Sequence, residues 1–396
     1  MNEYIHELVA VISLISNCMY TFSVSLLIIS FTNSSPRDSH YRCVMVTIRS
    51  TYLLCTILII ISTAFLYQYP SSVLYNIGHT TALLESEENR AAERFITQLQ
   101  HPQDCESARK FLCPLTPACG FGCITHKLVD CFIYAAWTNR TVILDPSPGP
   151  IIRKDDWEKF FLPISENCTS WSDAVEWDAN HTQHQVVKLS PHYGYPTPEL
   201  AEWLNIPPSW TPAPSSVASP MAWWVGHILQ HIYRLQPGMV EHVQAAKQKI
   251  GFVEPLAGLQ VRRTDKNGEA PYQEVEKYMP WVERYYGNAS SGTVKRVFIA
   301  TDEPLVVTEL RTKYPDYIFL SDGDTVSLAN DKSFGSRWSR EAHTGIITDI
   351  QLLMSCQFVA CTLSSNICRL IYEIQSSRLW DTARTFHTVD DEYRFM

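Results

Sequence analysis

Three short segments carry side chains able to bind and activate a charged ligand. In Val261-Arg262-Arg263-Thr264-Asp265-Lys266, two guanidinium groups and an ammonium group follow an apolar run. Arg presents a planar fork that fits a diphosphate, so the pair reads as a phosphate grip, with a solvated surface pair as the bland alternative. In Ala300-Thr301-Asp302-Glu303, two adjacent carboxylates stand just ahead of Pro304. Capping of the next helix is the plainer fate of such acids. In Cys361-Thr362-Leu363-Ser364-Ser365, two serines precede a helix-forming stretch. A helix start offers free N–H groups and a positive dipole end, which suit an anion. Together the segments point to a nucleotide-diphosphate ligand, but spacing alone does not name the sugar.

These segments need a scaffold that brings them to one edge. After Gly251 the pattern alternates. Strands are predicted over Leu256–Val261, Arg296–Ala300, Tyr317–Leu320 and Phe358–Thr362, and helices over about Gln273–Tyr286, Pro304–Lys313, Glu341–Cys356 and Ser364–Ser376. Such alternation predicts a parallel, doubly wound sheet, which takes ligands beyond the carboxyl ends of its strands. Side chains alternate faces, so Gln260 and Arg262 share one face and Arg263 takes the other. Residues 101–250 read as mixed helix and coil, with a buried helix over Cys123–Trp137, a strand over Thr141–Leu144, a Pro/Ser connection over 207–220, and helices over Met221–Leu235 and Met239–Ile250. Residues 68–100 read as a stem with one short helix. Asp322-Gly323-Asp324 reads as a turn, Asp155-Asp156 and Asp390-Asp391 as solvated loop charges, and Trp223-Trp224 as core. The 13 histidines show no metal-ligand spacing, so no metal site is expected.

Composition narrows the classes. The 396 residues exceed one ordinary core, which rarely grows past about 250–300 residues. With 32 basic and 41 acidic residues the net charge is −9, which sets nucleic-acid binding aside. At 45% hydrophobic and 18% charged residues, the chain is neither disordered, collagen-like nor a multi-pass channel. Leu8–Phe31 is free of Asp, Glu, Lys and Arg over 24 residues, and Thr51–Tyr67 reaches the minimum spanning length of about 17 residues. Arg37, Arg42 and Arg49 lie between the two runs. The positive-inside rule then keeps 32–50 cytoplasmic and translocates everything after Tyr67. Residues 51–67 are expected as an uncleaved signal anchor. Residues 1–50 are expected as a hydrophobic segment and cytoplasmic loop, whose first run is either a second span or an extension ahead of Met45. A glycan on Asn33 would contradict this topology. Beyond the anchor lie nine cysteines and sequons at Asn139, Asn167, Asn180 and Asn288. In the cytosol Cys119 and Cys123 would suggest zinc; a translocated chain favours disulfides instead.

With Cys119-Gly-Phe-Gly-Cys123, Ala222-Trp223-Trp224-Val225 and Phe386-His387-Thr388-Val389-Asp390-Asp391 added to the three segments, the chain resembles the α1,6-fucosyltransferase family. These are Golgi enzymes that fucosylate the innermost N-acetylglucosamine of N-glycans. The likeness runs in order over roughly residues 85–395. It implies an α/β, two-domain GT-B-like variant, with an acceptor-side subdomain over 101–250 and a Rossmann-like donor subdomain over 251–396. It also implies GDP-fucose as donor, an N-glycan of a glycoprotein as acceptor, no metal or other cofactor, and a type II protein of the Golgi membrane; homodimerisation stays open.

Carried over position by position, the resemblance implies that Arg262 holds the donor β-phosphate and Arg263 supports the same loop. Gln260, Tyr278, Asp349 and Ser365 would complete the donor site. Asp265, Lys266, Glu269, Asp302 and Glu303 match residues that the family needs for activity. Glu269 is the proposed base, Lys266 its partner and Arg262 the leaving-group stabiliser. The family's disulfides imply Cys105–Cys168, Cys113–Cys131, Cys119–Cys123 and Cys361–Cys368, with Cys356 unpaired. The chain departs from the family in four places. Gln260 stands where animal enzymes carry His, Glu303 replaces Asp, one residue is missing between Lys266 and Glu269, and no Src-homology-3-type domain follows. Two other readings remain: a catalytically silent relative that binds nucleotide sugar or glycan, and a fucosyltransferase acting on chitin-like oligosaccharides.

Overall fold

The structure is a computed structural model that describes residues 87–115, 119–147, 152, 154–177, 181–189, 205–207, 210–264, 270–290, 292–331, 333, 336, 338–378 and 382–395. The two N-terminal apolar runs lie outside these residues. Among the described residues no helix is long and apolar enough to cross a membrane.

The first half is built on α1 (Glu87–Gln100), β1 (Lys110–Cys113), α2 (Phe121–Trp137), β2 (Thr141–Leu144), α3 (Lys154–Phe160), β3 (Val175–Glu176) and β4 (Val186–Lys188). Its strands form a parallel sheet in the order β2-β1-β4-β3. Of these, the sequence announced only β2. The others are two to four residues long, and β1 is buried throughout, so no alternation marks it. Asp155 and Asp156 open α3, where Asp156 pairs with Lys159 at 2.8 Å, so they are helix residues rather than loop charges.

Two helices follow, α4 (Pro220–Ile232) and α5 (Pro237–Ile250). The Ser219 hydroxyl accepts from the Ala222 N–H at the start of α4, and Pro220 presets the first turn. The second half contains β5 (Ala257–Val261), α6 (Val275–Gly287), β6 (Arg296–Thr301), α7 (Pro304–Lys313), β7 (Ile318–Leu320), α8 (Gly323–Asn330), α9 (Arg340–Met354), β8 (Phe358–Cys361), α10 (Asn366–Arg378), α11 (Thr382–Thr385) and β9 (Phe386–Thr388). All five strands are parallel, in the order β7-β6-β5-β8-β9. The four predicted strands are all present, and β9 adds an edge beside β8. The expected Asp322-Gly323-Asp324 turn is instead the start of α8, where the Asp322 carboxylate accepts from the Asp324 N–H.

One apolar core joins the halves. Trp223, Trp224, Ile228 and Ile232 of α4 cluster with Phe111 and Val142 of the first sheet, and also with Ile347 and Ile350 of α9 and Leu370 and Ile374 of α10. The helix expected in the stem belongs to this core. Ala92, Ile96 and Leu99 of α1 are buried. Asn89, 1% exposed, accepts at Oδ1 from Trp223 Nε1 at 3.0 Å and donates from Nδ2 to Ser377 O at 3.3 Å. Disulfides join Cys105 to Cys168, Cys113 to Cys131, Cys119 to Cys123, and Cys361 to Cys368, leaving Cys356 as a buried thiol.

Helices α4 and α10 touch at Gly226. A methyl group there would run into the Glu373 carbonyl oxygen and sit 2.6 Å from Ser377 Oγ. Gly226→Ala is therefore expected to lower stability by about 2–3 kcal/mol through overpacking, read as a fall in melting temperature, whereas Gly238→Ala, with open space around its added methyl, leaves it unchanged.

Candidate donor site

The order β7-β6-β5-β8-β9 places the reversal of strand order between β5 and β8. Open α/β sheets take their ligands at such a point, beyond the carboxyl ends of the strands. Register fixes what borders it. Val261 is level with Thr301 of β6, Leu259 with Ala360 of β8, and Cys361 with Thr388 of β9. Arg262 thus follows β5 between Asp302 on one side and the Thr362–Ser365 turn on the other.

Asp302 organises the loop that leaves β5. Its carboxylate accepts from the Arg263 N–H at 2.9 Å, the Thr264 N–H at 3.3 Å and the Thr264 hydroxyl at 2.6 Å. Arg262 Nε lies 4.0 Å from Asp302 Oδ2, and the Arg262 side chain keeps 25% of its surface exposed. Arg263 takes the opposite course and is 3% exposed. Its guanidinium donates to Glu309 Oε2 at 2.8 Å, Glu303 Oε2 at 3.4 Å and the Gln273 carbonyl at 3.2 Å, and it packs over the Tyr272 ring 4.4 Å away. Burial works against the Arg263 charge, yet the Glu309 and Glu303 carboxylates outweigh it and hold the guanidinium above its usual range. The side chains of Asp302 and Glu303 are accordingly engaged in holding this loop. Sequence reasoning missed Tyr272, Gln273 and Glu309, because a salt-bridge partner from a neighbouring helix leaves no trace in local spacing.

On the β8 side, the turn into α10 is pinned from three sides. The Ser365 N–H donates to Thr362 O at 2.9 Å, the Leu363 N–H donates to Thr388 Oγ1 at 3.3 Å, and the Cys361–Cys368 disulfide ties strand to helix. Ser365 is 1% exposed and its hydroxyl has no hydrogen-bond partner among the described residues; the same holds for Oε1 of Gln260, 6% exposed on β5. Unpaired buried polar atoms are costly; Gln260 lies on β5 and Ser365 follows β8, the strands on either side of the reversal. Tyr278 on α6 is fully buried, and burial, reinforced by Asp390, pushes its hydroxyl up. Asp390 is no free loop charge, since Thr388 Oγ1 donates to it at 3.0 Å. Asp349 on α9 has a carboxyl raised well above the ordinary range, first by burial and then by the nearby Asp322 charge. Asp265, Lys266 and Glu269 lie outside the described residues. Among the described residues, Glu274, Glu276 and Glu309 cluster with metal-ligand spacing at the surface; Lys313 bonds to both Glu276 and Glu309 there.

The two arginines should separate in experiment. Arg263→Met leaves carboxylates facing a buried apolar chain and is expected to cost about 3 kcal/mol of stability. Arg262→Ala is expected to melt near wild type yet bind GDP about 10- to 100-fold more weakly, the loss of a charge-assisted bond. Thermal melts and calorimetric titration read the two effects independently.

The family model for alpha-(1,6)-fucosyltransferase N- and catalytic domains matches residues 80–394. The alpha-(1,6)-fucosyltransferase of Drosophila melanogaster is 36% identical over 76% of this chain and 49% of its own length. That of Caenorhabditis elegans is 30% identical over 80% of this chain and 60% of its own. The chain thus spans about half to three-fifths of these relatives. Its fold is also similar to that of the NodZ alpha-1,6-fucosyltransferase crystallised with GDP, with a TM-score of 0.39 and 12% identity over 68% of this chain and 92% of that one. With residues 80–394 matched by the family model, the chain belongs to the alpha-(1,6)-fucosyltransferase family.

Proposed function

We propose that this protein transfers L-fucose from GDP-fucose to the 6-hydroxyl of the innermost N-acetylglucosamine of N-glycans, with inversion and without metal, on a two-domain GT-B-like scaffold. The observation that carries the reading is the reversal of strand order between β5 and β8, whose carboxyl ends bring Arg262, the start of α10 and the unpartnered buried atoms of Gln260 and Ser365 to one edge. A diphosphate there meets a guanidinium on one side and first-turn N–H groups, which have no partner within the helix, on the other. Both gain strength as the departing GDP takes up negative charge, so they favour the transition state over the bound donor. Gln260 offers the donor a neutral amide.

Inversion needs one displacement, with a base taking the proton of the acceptor hydroxyl as its oxygen attacks the anomeric carbon. Glu269 is the proposed base and Lys266 its partner. Both follow Thr264, the residue that Asp302 anchors. Four disulfides and the sequons support an oxidising lumen, and with the apolar run at 51–67 they favour a type II arrangement in the Golgi membrane.

The decisive experiment incubates the full chain in detergent with GDP-fucose and a GlcNAc-terminated biantennary glycan, with and without chelator. Core-fucosylated product in both arms is expected; product lost on chelation would contradict the metal-free reading, and GDP binding without product would favour a silent relative. Glu269→Gln is expected to lower turnover by about 10²–10⁴-fold while GDP still binds. The Asp349 carboxyl is raised in the free protein by burial and by Asp322, so it holds its proton to a higher pH than an ordinary carboxylate. If its ionised form accepts N–H groups of the base, GDP affinity rises with pH above the ordinary carboxylate range, and calorimetry should show a weaker rise in Asp349→Asn, where only the phosphate titrates.

A further inference from the structure

Behind the start of α10 lies a set of buried polar groups that the donor reading has not used. Arg369 stands in the first turn of α10 and is 8% exposed. Its guanidinium donates to Asn366 Oδ1, its Nε has no hydrogen-bond partner among the described residues, and its backbone N–H donates to Ser365 O at 3.0 Å. One turn on, the fully buried Glu373 accepts from the Tyr393 hydroxyl at 2.9 Å and meets Nε2 of His126 at 2.9 Å. The other ring nitrogen of His126 lies 2.8 Å from the Gly122 carbonyl. A carbonyl can only accept, so Nδ1 carries a proton. Gly122 in turn abuts Asn366, where an added Cβ would meet the Asn366 Cβ at 2.8 Å.

Glu373 is therefore shared between His126 on α2 and Tyr393 near the end of the chain, and it makes no described ion pair with Arg369. Arg369 hydrogen-bonds an amide oxygen, while burial opposes its charge and the nearby Glu373 carboxylate favours it. A charge in a low-dielectric interior is screened by solvent less than a surface charge, so the part that Glu373 does not offset reaches further. It sits one helical turn behind Ser365, whose buried hydroxyl is itself unpartnered.

We propose that Arg369 is a positioning residue for the donor diphosphate: through Asn366 it sets the turn that presents Ser365, and its buried charge adds to the positive end of α10. The inference rests on the reading of α10 as the diphosphate side of the donor site. It acts on the charged part of the donor and leaves recognition of the base alone. The His126–Glu373–Tyr393 chain holds α2, α10 and the end of the chain together, so that the guanidinium stays aimed at the first turn.

The test compares dissociation constants of GDP and of guanosine for the full-length protein, because guanosine presents the base without the phosphates. Arg369→Met is expected to weaken GDP about tenfold or more while guanosine changes less than about twofold. Equal losses for the two ligands would mean general damage to the fold, and no loss would mean that the charge is idle; either result overturns the inference. Should Arg369→Met fail to fold, Arg369→Lys and Asn366→Ala decide it. The first keeps the charge and is expected to hold the GDP-to-guanosine ratio within about threefold of wild type, and the second to weaken GDP alone. A collapsed ratio in Arg369→Lys or unaltered GDP binding in Asn366→Ala would overturn it. Wild-type protein that binds guanosine but gains nothing from the phosphates would instead strike the donor-site reading, and this inference with it.

Discussion

Helix α10 has to satisfy two constraints at once, and much of the molecule is arranged around them. Its first turn must lie at the carboxyl edge of the second sheet, which the Cys361–Cys368 disulfide and the Thr362–Ser365 turn enforce. Its body must bury Leu370 and Ile374 in the core of the first half. The second demand is met because α4 has no side chain at Gly226, so the two helices approach to near backbone contact. Close approach removes more apolar surface from water and leaves little slack for sliding. If that turn is the anion side of the donor site, as proposed, the site inherits the rigidity of the helix, and a preorganised site loses less to ordering when charge develops.

The legible and illegible parts of the sequence follow from the range over which the physics acts. Strands β5, β6 and β8 are short apolar runs bounded by polar loops, and helices α6, α7, α9 and α10 repeat with amphipathic spacing, so local pattern found them. The edge where Arg262, Asp302 and Ser365 meet could be read too, because a parallel doubly wound sheet has one place to put a ligand. The first sheet could not. Strands of two to four residues carry too little periodicity, and their pairing depends on contacts across Arg109–Lys188. The same limit hid the membership of α1 in the core. Its charged face resembles a stem, and contacts far along the chain, from Asn89 to Trp223 and Ser377, show otherwise.

Arg262 and Arg263 show how strongly one residue of register matters. They are chemically identical neighbours, yet alternation at a strand end leaves one partly exposed at the carboxyl edge and sends the other into a nest of carboxylates. The buried one does not spoil the donor site by competing for phosphate, because Glu303 and Glu309 already neutralise it. A sequence in which the pair slipped by one position would bury Arg262 and expose the brace that Arg263 forms.

The same arrangement bears on how a base could be held in a loop. On the proposed reading, Glu269 takes the proton of an acceptor hydroxyl, and a carboxylate without anchored neighbours would be spread over many positions. The described residues on either side of 265–269 are each anchored. Asp302 takes the Arg263 and Thr264 N–H groups and the Thr264 hydroxyl at one end. At the other, Arg263 donates to the Gln273 carbonyl, and Lys277 bonds the Gln273 amide oxygen at 2.7 Å. Arg263 thus reaches Asp302 with its backbone and the Gln273 carbonyl with its side chain, and holding the two ends together removes the loop-closure part of the ordering cost. On the proposed reading of Glu269 as the base, loss of the Arg263 guanidinium would free the Gln273 end while Asp302 still held the other.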